Sequence, residues 1–272
     1  MNNSSQQKPT ILIVGAGNIG TAMARGIARS RHHVIVYNRS SHRLDQFADD
    51  SDFTTVCDLR DAVRTYRPSV TVICVEGDAV RPVIDEMGPE LGKCRPVTVS
   101  CAAAASLADL EGWLRPYLKK PGVVRLLPTI AATEGVSANL VCSSGVGNEE
   151  LEVLRKLFAA TGSWYEIPEK DFGAAMALTS CGIAFALRYI RACSEAGVEL
   201  GLAPAQAAAM TASALEGAAA MLRATGLHPE VLVDRVTTPG GLTIRGLNAM
   251  EANGFSAAVN SGIKAAANKC HE

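Results

Sequence analysis

A run of β-branched and aliphatic residues, Thr10 to Val14, leads directly into Gly15-Ala16-Gly17-Asn18-Ile19-Gly20, and a helical pattern then continues to Ala28. Strand, glycine-rich turn and helix in immediate succession form the setting in which a GxGxxG spacing reads as a dinucleotide-binding fingerprint. The first glycine permits the tight turn, the second lets a pyrophosphate approach the backbone, and the third lets helix and strand pack closely. Gly15, Gly17, Asn18, Ile19 and Gly20 are therefore candidate cofactor contacts. The same spacing also serves a strand-to-helix turn that holds no ligand.

The next apolar run, His33 to Tyr37, reads as a second strand and ends in Asn38-Arg39-Ser40, with Arg43 just beyond. An NAD site places an acid here for the ribose 2′-hydroxyl. An amide, a guanidinium and a hydroxyl instead suit a 2′-phosphate, through charge-assisted and bidentate hydrogen bonds. Asn38, Arg39 and Ser40 thus point to NADPH. A solvated basic loop after an edge strand is the alternative for the same residues.

Alternation continues. Helices are expected at Leu59–Tyr66, Ala79–Leu91, Leu107–Leu118 and Glu149–Thr161, and strands at Val70–Val75, Pro96–Ser100, Val123–Leu127 and Ala138–Ser143, with a last short strand at Trp164–Pro168. This order predicts a Rossmann-type, parallel, doubly wound α/β sheet over residues 10–169. Residues 1–9 read as a polar, disordered lead-in rather than a signal peptide.

No strand pattern follows Asp171. Alanine, glycine and leucine dominate Phe172–Leu200, Pro204–Thr225 and Leu242–Asn268, with stops at Gly201, Gly226 and Gly254, so residues 170–272 are expected to be all-helical. Such a segment makes a thin core alone and is expected to form a homodimer interface. Within it, Thr237-Thr238-Pro239-Gly240-Gly241-Leu242-Thr243 combines a φ-fixing proline with two bare glycines at a helix start, a place for a carboxylate beside the Thr238 and Thr243 hydroxyls. An ordinary helix start would look the same.

Composition excludes other classes. A net charge of −1 gives no electrostatic case for nucleic acid or an anionic membrane. The eight cysteines, at 57, 74, 94, 101, 142, 181, 193 and 270, form no CxxC pair and the five histidines no HExxH; buried free thiols, no metal and a cytoplasmic location are the expectation. The weakly charged segment Phe172–Leu187, ended by Arg188, is expected to be a buried helix at an interface rather than a membrane span.

The sequence resembles the pyrroline-5-carboxylate reductases. The resemblance is carried by ILIVGAGNIGTAMARGI near the start, YNRS after the second strand, SCAAAASLADLE at Ser100–Glu111, ALRYIRACSEAGVELGL, and HPEVLVDRVTTPGGLTIRGLNAMEANGF at His228–Phe255. It implies an N-terminal NAD(P)H domain, a helical dimerisation domain and reduction of a cyclic imine to proline. It further implies that Gly240, Gly241 and Leu242 offer backbone N–H groups and Thr238 a hydroxyl to the substrate carboxylate. Thr243 would lie at the imine nitrogen or the nicotinamide, and Val75 and Glu76 beside the cofactor. Three stretches depart from the family pattern: Val75-Glu76-Gly77-Asp78 where a Val-Lys-Pro-like turn is usual, the shortened Leu127–Ala131, and Ser180-Cys181-Gly182-Ile183 in place of a Gly-Ser-Gly-Pro helix opening. These keep two alternatives open: reduction of a different cyclic imine or imino acid, and an inactive nucleotide-binding regulatory protein. A β-hydroxyacid dehydrogenase would need a lysine on the helix after the sheet, and none lies between Phe172 and Leu202.

Overall fold

The computed structural model describes residues 9–268; most of the lead-in expected over residues 1–9, and Cys270, lie outside them. The chain divides into two units between Met176 and Ala177.

The first unit is built on an eight-stranded sheet. Strand β1 (Ile11–Val14) runs into α1 (Asn18–Ala28), followed by β2 (Val34–Tyr37), β3 (Phe53–Val56), α2 (Leu59–Tyr66), β4 (Val70–Ile73), α3 (Gly77–Cys94), β5 (Val97–Ser100), α4 (Leu107–Leu114), β6 (Val123–Leu127), β7 (Ser137–Ser144), α5 (Asn148–Phe158) and β8 (Gly162–Glu166). The strand order is β3-β2-β1-β4-β5-β6-β7-β8. Every residue of β1, β2, β4, β5 and β6 is buried, as strands covered on both faces must be. Each such Ile, Leu or Val contributes roughly 1.5–3 kcal/mol.

One core face packs Ile11, Ile13, Val72 and Val99 against α1 and α5 through Met23, Ile27, Leu157 and Phe158. The other packs Leu12, Val14 and Ile73 against Leu59, Ile84 and Leu110 of α2, α3 and α4. The expected double winding is therefore present.

The sheet departs from the expected all-parallel pairing at β6 and β7, which are antiparallel, while β7 and β8 run parallel to each other. Residues 128–136, holding a short 3₁₀ turn at Ile130–Glu134, link the two strands. That is shorter than the dozen or more residues a parallel crossover requires, so the chain must reverse. Strand β3 was not expected; it is an edge strand with mixed burial.

The second unit is helical. Helix α6 (Phe172–Glu199) starts in the first unit, where Phe172 packs on Leu127 and Leu140. Helices α7 (Pro204–Thr225), α8 (Pro229–Arg235), α9 (Leu242–Ala252) and α10 (Phe255–Asn268) follow. Ser180–Ile183 lie inside α6 and not at a helix opening, because Phe172 already begins the helix and Ile183 keeps its backbone donor.

Among the described residues few side chains of this unit are buried: Ala177, Ser194, Ala207 and Leu232 are, whereas Leu178, Leu187 and Leu242 are 61%, 58% and 87% exposed. The segment Glu169–Glu199 contains an 18-residue window of mean hydropathy 1.4 and is long and apolar enough to cross a membrane by length and composition. Within one chain 6% of that apolar window is covered, so the burial expected at an interface would have to come from a partner.

Candidate functional site

The glycine turn is shaped by close contacts that exclude side chains. Gly15 has φ +105°, and a Cβ there would lie 2.9 Å from the carbonyl oxygen of Cys74 and from Val75 Cγ1. A Cβ on Gly20 would collide with the carbonyl of Gly15. The turn is tied down on both sides: Gly15 N–H donates to the Tyr37 carbonyl at 2.8 Å, and Ala16 N–H donates to Asn38 Oδ1 at 3.0 Å. Asn38 Nδ2 in turn donates to the Ser40 carbonyl at 2.9 Å. Gly17 caps α1 with no side chain accepting from its first turn, leaving first-turn N–H groups and the positive end of the helix dipole facing outward.

A cleft of about 490 Å³ opens beside this turn, lined in part by Gly17, Asn18, Thr21, Arg43, Ile130 and Thr133. The cation on its wall is Arg43. A 3₁₀ turn at Ser41–Arg43 folds that side chain back until its guanidinium lies 3.5 Å from where a Cβ on Gly17 would be. Arg39 is exposed and does not line the cleft. Among the described residues neither arginine makes an ion pair. Sequence reasoning noticed Arg43 but did not place it in the site; the signal available was its position one short turn after the second strand. Thr133 and Ile130 were missed because they come from the β6–β7 link, whose docking on α1 is a tertiary contact.

Val75 flanks Gly15, and Glu76 is the exposed N-cap of α3. Gly15, Gly17, Gly20, Asn38 and Val75 are thus brought together, with Ser40 held to Asn38 through its carbonyl. Beneath them, Cys74 and Cys101 directly follow β4 and β5. The seven described cysteines are free, as expected; Cys57 is exposed and the other six are partly exposed, so their burial is less than expected, since most of them sit at strand and helix ends.

An ion pair ties β6 to the segment just before α6. Arg125, 6% exposed on β6, contacts Glu169 at 2.7 Å and the Ala103 carbonyl at 2.6 Å, and lies over the Phe172 ring at 4.8 Å. Glu169 also accepts from Leu107 N–H at 2.7 Å. Burial and the nearby Glu169 push the Cys142 thiol up to about 11.

In the second unit, Pro239-Gly240-Gly241 forms a turn entering α9. Gly240 has φ +70°, and a Cβ on Gly241 would collide with the Thr238 hydroxyl. One expectation needs correction. Gly241 N–H donates to the Thr238 carbonyl at 2.9 Å, so that donor is committed to the turn. The positions left facing out are Gly240, Leu242 and Thr243, all exposed. His228 is structural, capping α8 with Nδ1 accepting from Glu230 N–H at 3.3 Å. Among the described residues no group of three or more His, Cys, Asp or Glu side chains is placed to hold a metal.

The family model described as "Pyrroline-5-carboxylate reductase dimerisation" matches residues 169–272, and that described as "NADP oxidoreductase coenzyme F420-dependent" matches residues 10–104. Pyrroline-5-carboxylate reductase 2 of Dictyostelium discoideum is 32% identical over 276 residues, covering 95% of this chain and 91% of that protein. The chain belongs to the pyrroline-5-carboxylate reductase family. Two solved structures of that name share its fold. The reductase from Coxiella burnetii matches with TM-score 0.84 and 24% identity over 97% of this chain and 98% of that one. The Plasmodium falciparum pyrroline carboxylate reductase, with NADP bound, matches with TM-score 0.82 and 23% identity over 96% and 97%. The two family models fall on the two units, one over the glycine turn and the other over the helices.

Proposed function

We infer that this chain is an NADPH-dependent oxidoreductase that reduces 1-pyrroline-5-carboxylate to L-proline. One observation carries the reading: a glycine cradle with an unpaired arginine on its wall, in a chain that resembles reductases of this family from end to end.

The cradle suits the pyrophosphate of the dinucleotide, because side chains are excluded at Gly15 and Gly20 and the α1 donors at Asn18, Ile19 and Gly20 face the turn. Asn38, Ser40, Arg39 and, closer to Gly17, Arg43 supply the donors and charge for the 2′-phosphate. Val75 and Glu76 flank the nicotinamide end. When bound, NADPH supplies the hydride.

In the helical unit, the Thr238 hydroxyl and the N–H groups of Gly240 and Leu242 hold the substrate carboxylate, and Thr243 orients the imine nitrogen. These residues act by position, since no acid or base of the Thr238–Thr243 turn is needed to activate a C=N bond that protonates readily. Residues 10–169 form the NADP-binding part and 170–272 the dimerisation and substrate part. A second copy of the chain covers the apolar side chains exposed on α6 and α9, which makes the protein a soluble, cytoplasmic homodimer or higher homo-oligomer and gives Glu169–Glu199 an occupant other than lipid.

A second reading, reduction of a different cyclic imine or imino acid, is favoured by the acidic turn at Glu76 and Asp78. The deciding experiment follows loss of NADPH absorbance with purified protein and 1-pyrroline-5-carboxylate, beside its six-membered homologue and 1-pyrroline-2-carboxylate. Preferred turnover of the first supports the proline-forming reading; turnover of another imine alone selects the second, and NADPH binding without turnover of any would sink both.

A further inference from the structure

Strands β4 and β5 pair in parallel with Ile73 opposite Ser100, so the next residue on each, Cys74 and Cys101, also stand side by side. The ladder continues to that point: Cys101 N–H donates to the Ile73 carbonyl at 2.8 Å, and Cys74 N–H to the Val14 carbonyl at 2.8 Å. Neighbouring strands lie about 4.8 Å apart, inside the Cα window of roughly 4.4–6.8 Å that a disulfide spans. The two thiols are close enough that Cys74 raises the Cys101 thiol above its ordinary range. Both are partly exposed, at the carboxyl ends of the strands where ligands of open α/β sheets bind.

The glycine turn rests on Cys74. A Cβ on Gly15 would stand 2.9 Å from the Cys74 carbonyl oxygen, and one on Gly20 only 3.2 Å from Cys74 Cβ. Cys74 thus sits directly beneath the turn, and a backbone shift made to bond Cys101 would be felt at Gly15 and Gly20.

We propose that Cys74 and Cys101 are a dithiol that hydroperoxides convert to a disulfide, and that the disulfide weakens cofactor binding at the glycine turn. The first half stands on strand geometry alone; the second rests on the proposed NADPH site. The Cys74 thiolate attacks the peroxide, the O–O bond breaks, water or an alcohol leaves with a proton, and Cys74 becomes a sulfenic acid. The Cys101 sulfur then attacks Cys74 sulfur and gives up its proton, the S–O bond breaks, and the departing hydroxide takes a proton and leaves as water. Two thiols are oxidised and one hydroperoxide is reduced. The neighbouring Cys74 thiol and burial push the Cys101 thiol well above its ordinary range, which suits Cys101 to the resolving role.

The test treats the full chain with hydrogen peroxide, maps its cysteines by mass spectrometry, and measures NADPH affinity by fluorescence before oxidation, after it, and after dithiothreitol. The expected result is a Cys74–Cys101 linkage with NADPH dissociation raised at least fivefold and restored by the reductant, while C101S accumulates sulfenic acid at Cys74. Peroxide that leaves both thiols free, links Cys74 to another cysteine, or drives wild-type Cys74 to sulfinic acid overturns the dithiol. A Cys74–Cys101 linkage with unchanged NADPH affinity overturns the coupling. Failure of the reduced protein to bind NADPH overturns the cofactor reading and with it the coupling, and the mapping still decides the dithiol.

Discussion

Asn38 Oδ1 accepts a hydrogen bond from Ala16 N–H at 3.0 Å, while its Nδ2 donates to the Ser40 carbonyl at 2.9 Å. One amide therefore joins the glycine turn to the segment that presents Arg43. Each bond contributes about 0.5–1.5 kcal/mol, so Asn38→Ala is expected to weaken NADPH binding about fivefold to a hundredfold and to lower the unfolding midpoint by a few degrees. Fluorescence titration and thermal unfolding check both. An unchanged dissociation constant would remove Asn38 from any role in shaping the turn.

Arg43, and not Arg39 alone, is expected to discriminate between the two nicotinamide cofactors. Its guanidinium lies beside Gly17 on the cleft wall, whereas Arg39 is exposed and off that wall. Charge-assisted hydrogen bonds contribute about 1.5–3 kcal/mol. Arg43→Ala should raise KM for NADPH on the order of tenfold to a hundredfold and leave NADH nearly untouched, with a smaller selective effect from Arg39→Ala. Steady-state kinetics with each cofactor decides it; equal losses with NADPH and NADH would refute the 2′-phosphate assignment.

The contrast between these arginines shows what was legible in the sequence. The Gly15–Gly20 spacing and the flanking β1 and α1 could be read because their requirements are local: each glycine answers to a contact within a strand–turn–helix unit. The reversal between β6 and β7 could be read only from the shortness of residues 128–136, since an apolar run such as Val123–Leu127 carries no direction. Strand β3 escaped notice because Phe53–Val56 is an edge strand, buried at Phe53 and open at Thr55. Arg43 was underrated because a 3₁₀ turn returns it to Gly17, and Ile130 and Thr133 were missed because they reach the cleft through packing of a distant loop on α1. The commitment of Gly241 N–H to Thr238 follows from turn geometry that glycine leaves free to vary.

At the helix start of α9, Gly241→Ala would drive a methyl group into the Thr238 hydroxyl. The turn must shift, and with it the N–H groups of Gly240 and Leu242. Turnover with the imine is expected to fall at least a hundredfold while NADPH binding and the circular dichroism spectrum stay near wild type. Thr243→Ala, which removes a hydroxyl without a clash, should lower kcat about tenfold. Wild-type kinetics for both variants would take this loop out of the substrate site.

Arg125 is 6% exposed and Glu169 is its carboxylate partner at 2.7 Å. Removing one member leaves the other uncompensated, whereas replacing both by apolar groups is often neutral. Glu169→Ala also strips the acceptor from Leu107 N–H and should cost about 3 kcal/mol. The double change Arg125→Leu with Glu169→Leu should recover much of that loss. Urea denaturation of the three proteins tests the pair; a loss below about 1 kcal/mol for Glu169→Ala would mean that solvent replaces the carboxylate.

The capping box of α4 is expected to give the protein an acid-sensitive increment of stability. Ser106 Oγ donates to Asp109 Oδ2 at 2.6 Å and Ser106 N–H to the same oxygen at 3.1 Å, while Asp109 N–H donates back to Ser106 Oγ at 3.1 Å. The hydroxyl bond, then the backbone bond, holds the Asp109 carboxyl below its ordinary range. Because the folded value lies under the unfolded one of about 3.9, this contribution is complete above that pH and disappears as pH falls through the folded value. Asp109→Asn abolishes the titration. The stability difference between wild type and variant should stay constant from neutrality down to about pH 5 and shrink below about pH 4. Urea midpoints measured across that range give the difference directly, and one that grows on acidification would reverse the sign and eliminate Asp109 as its source.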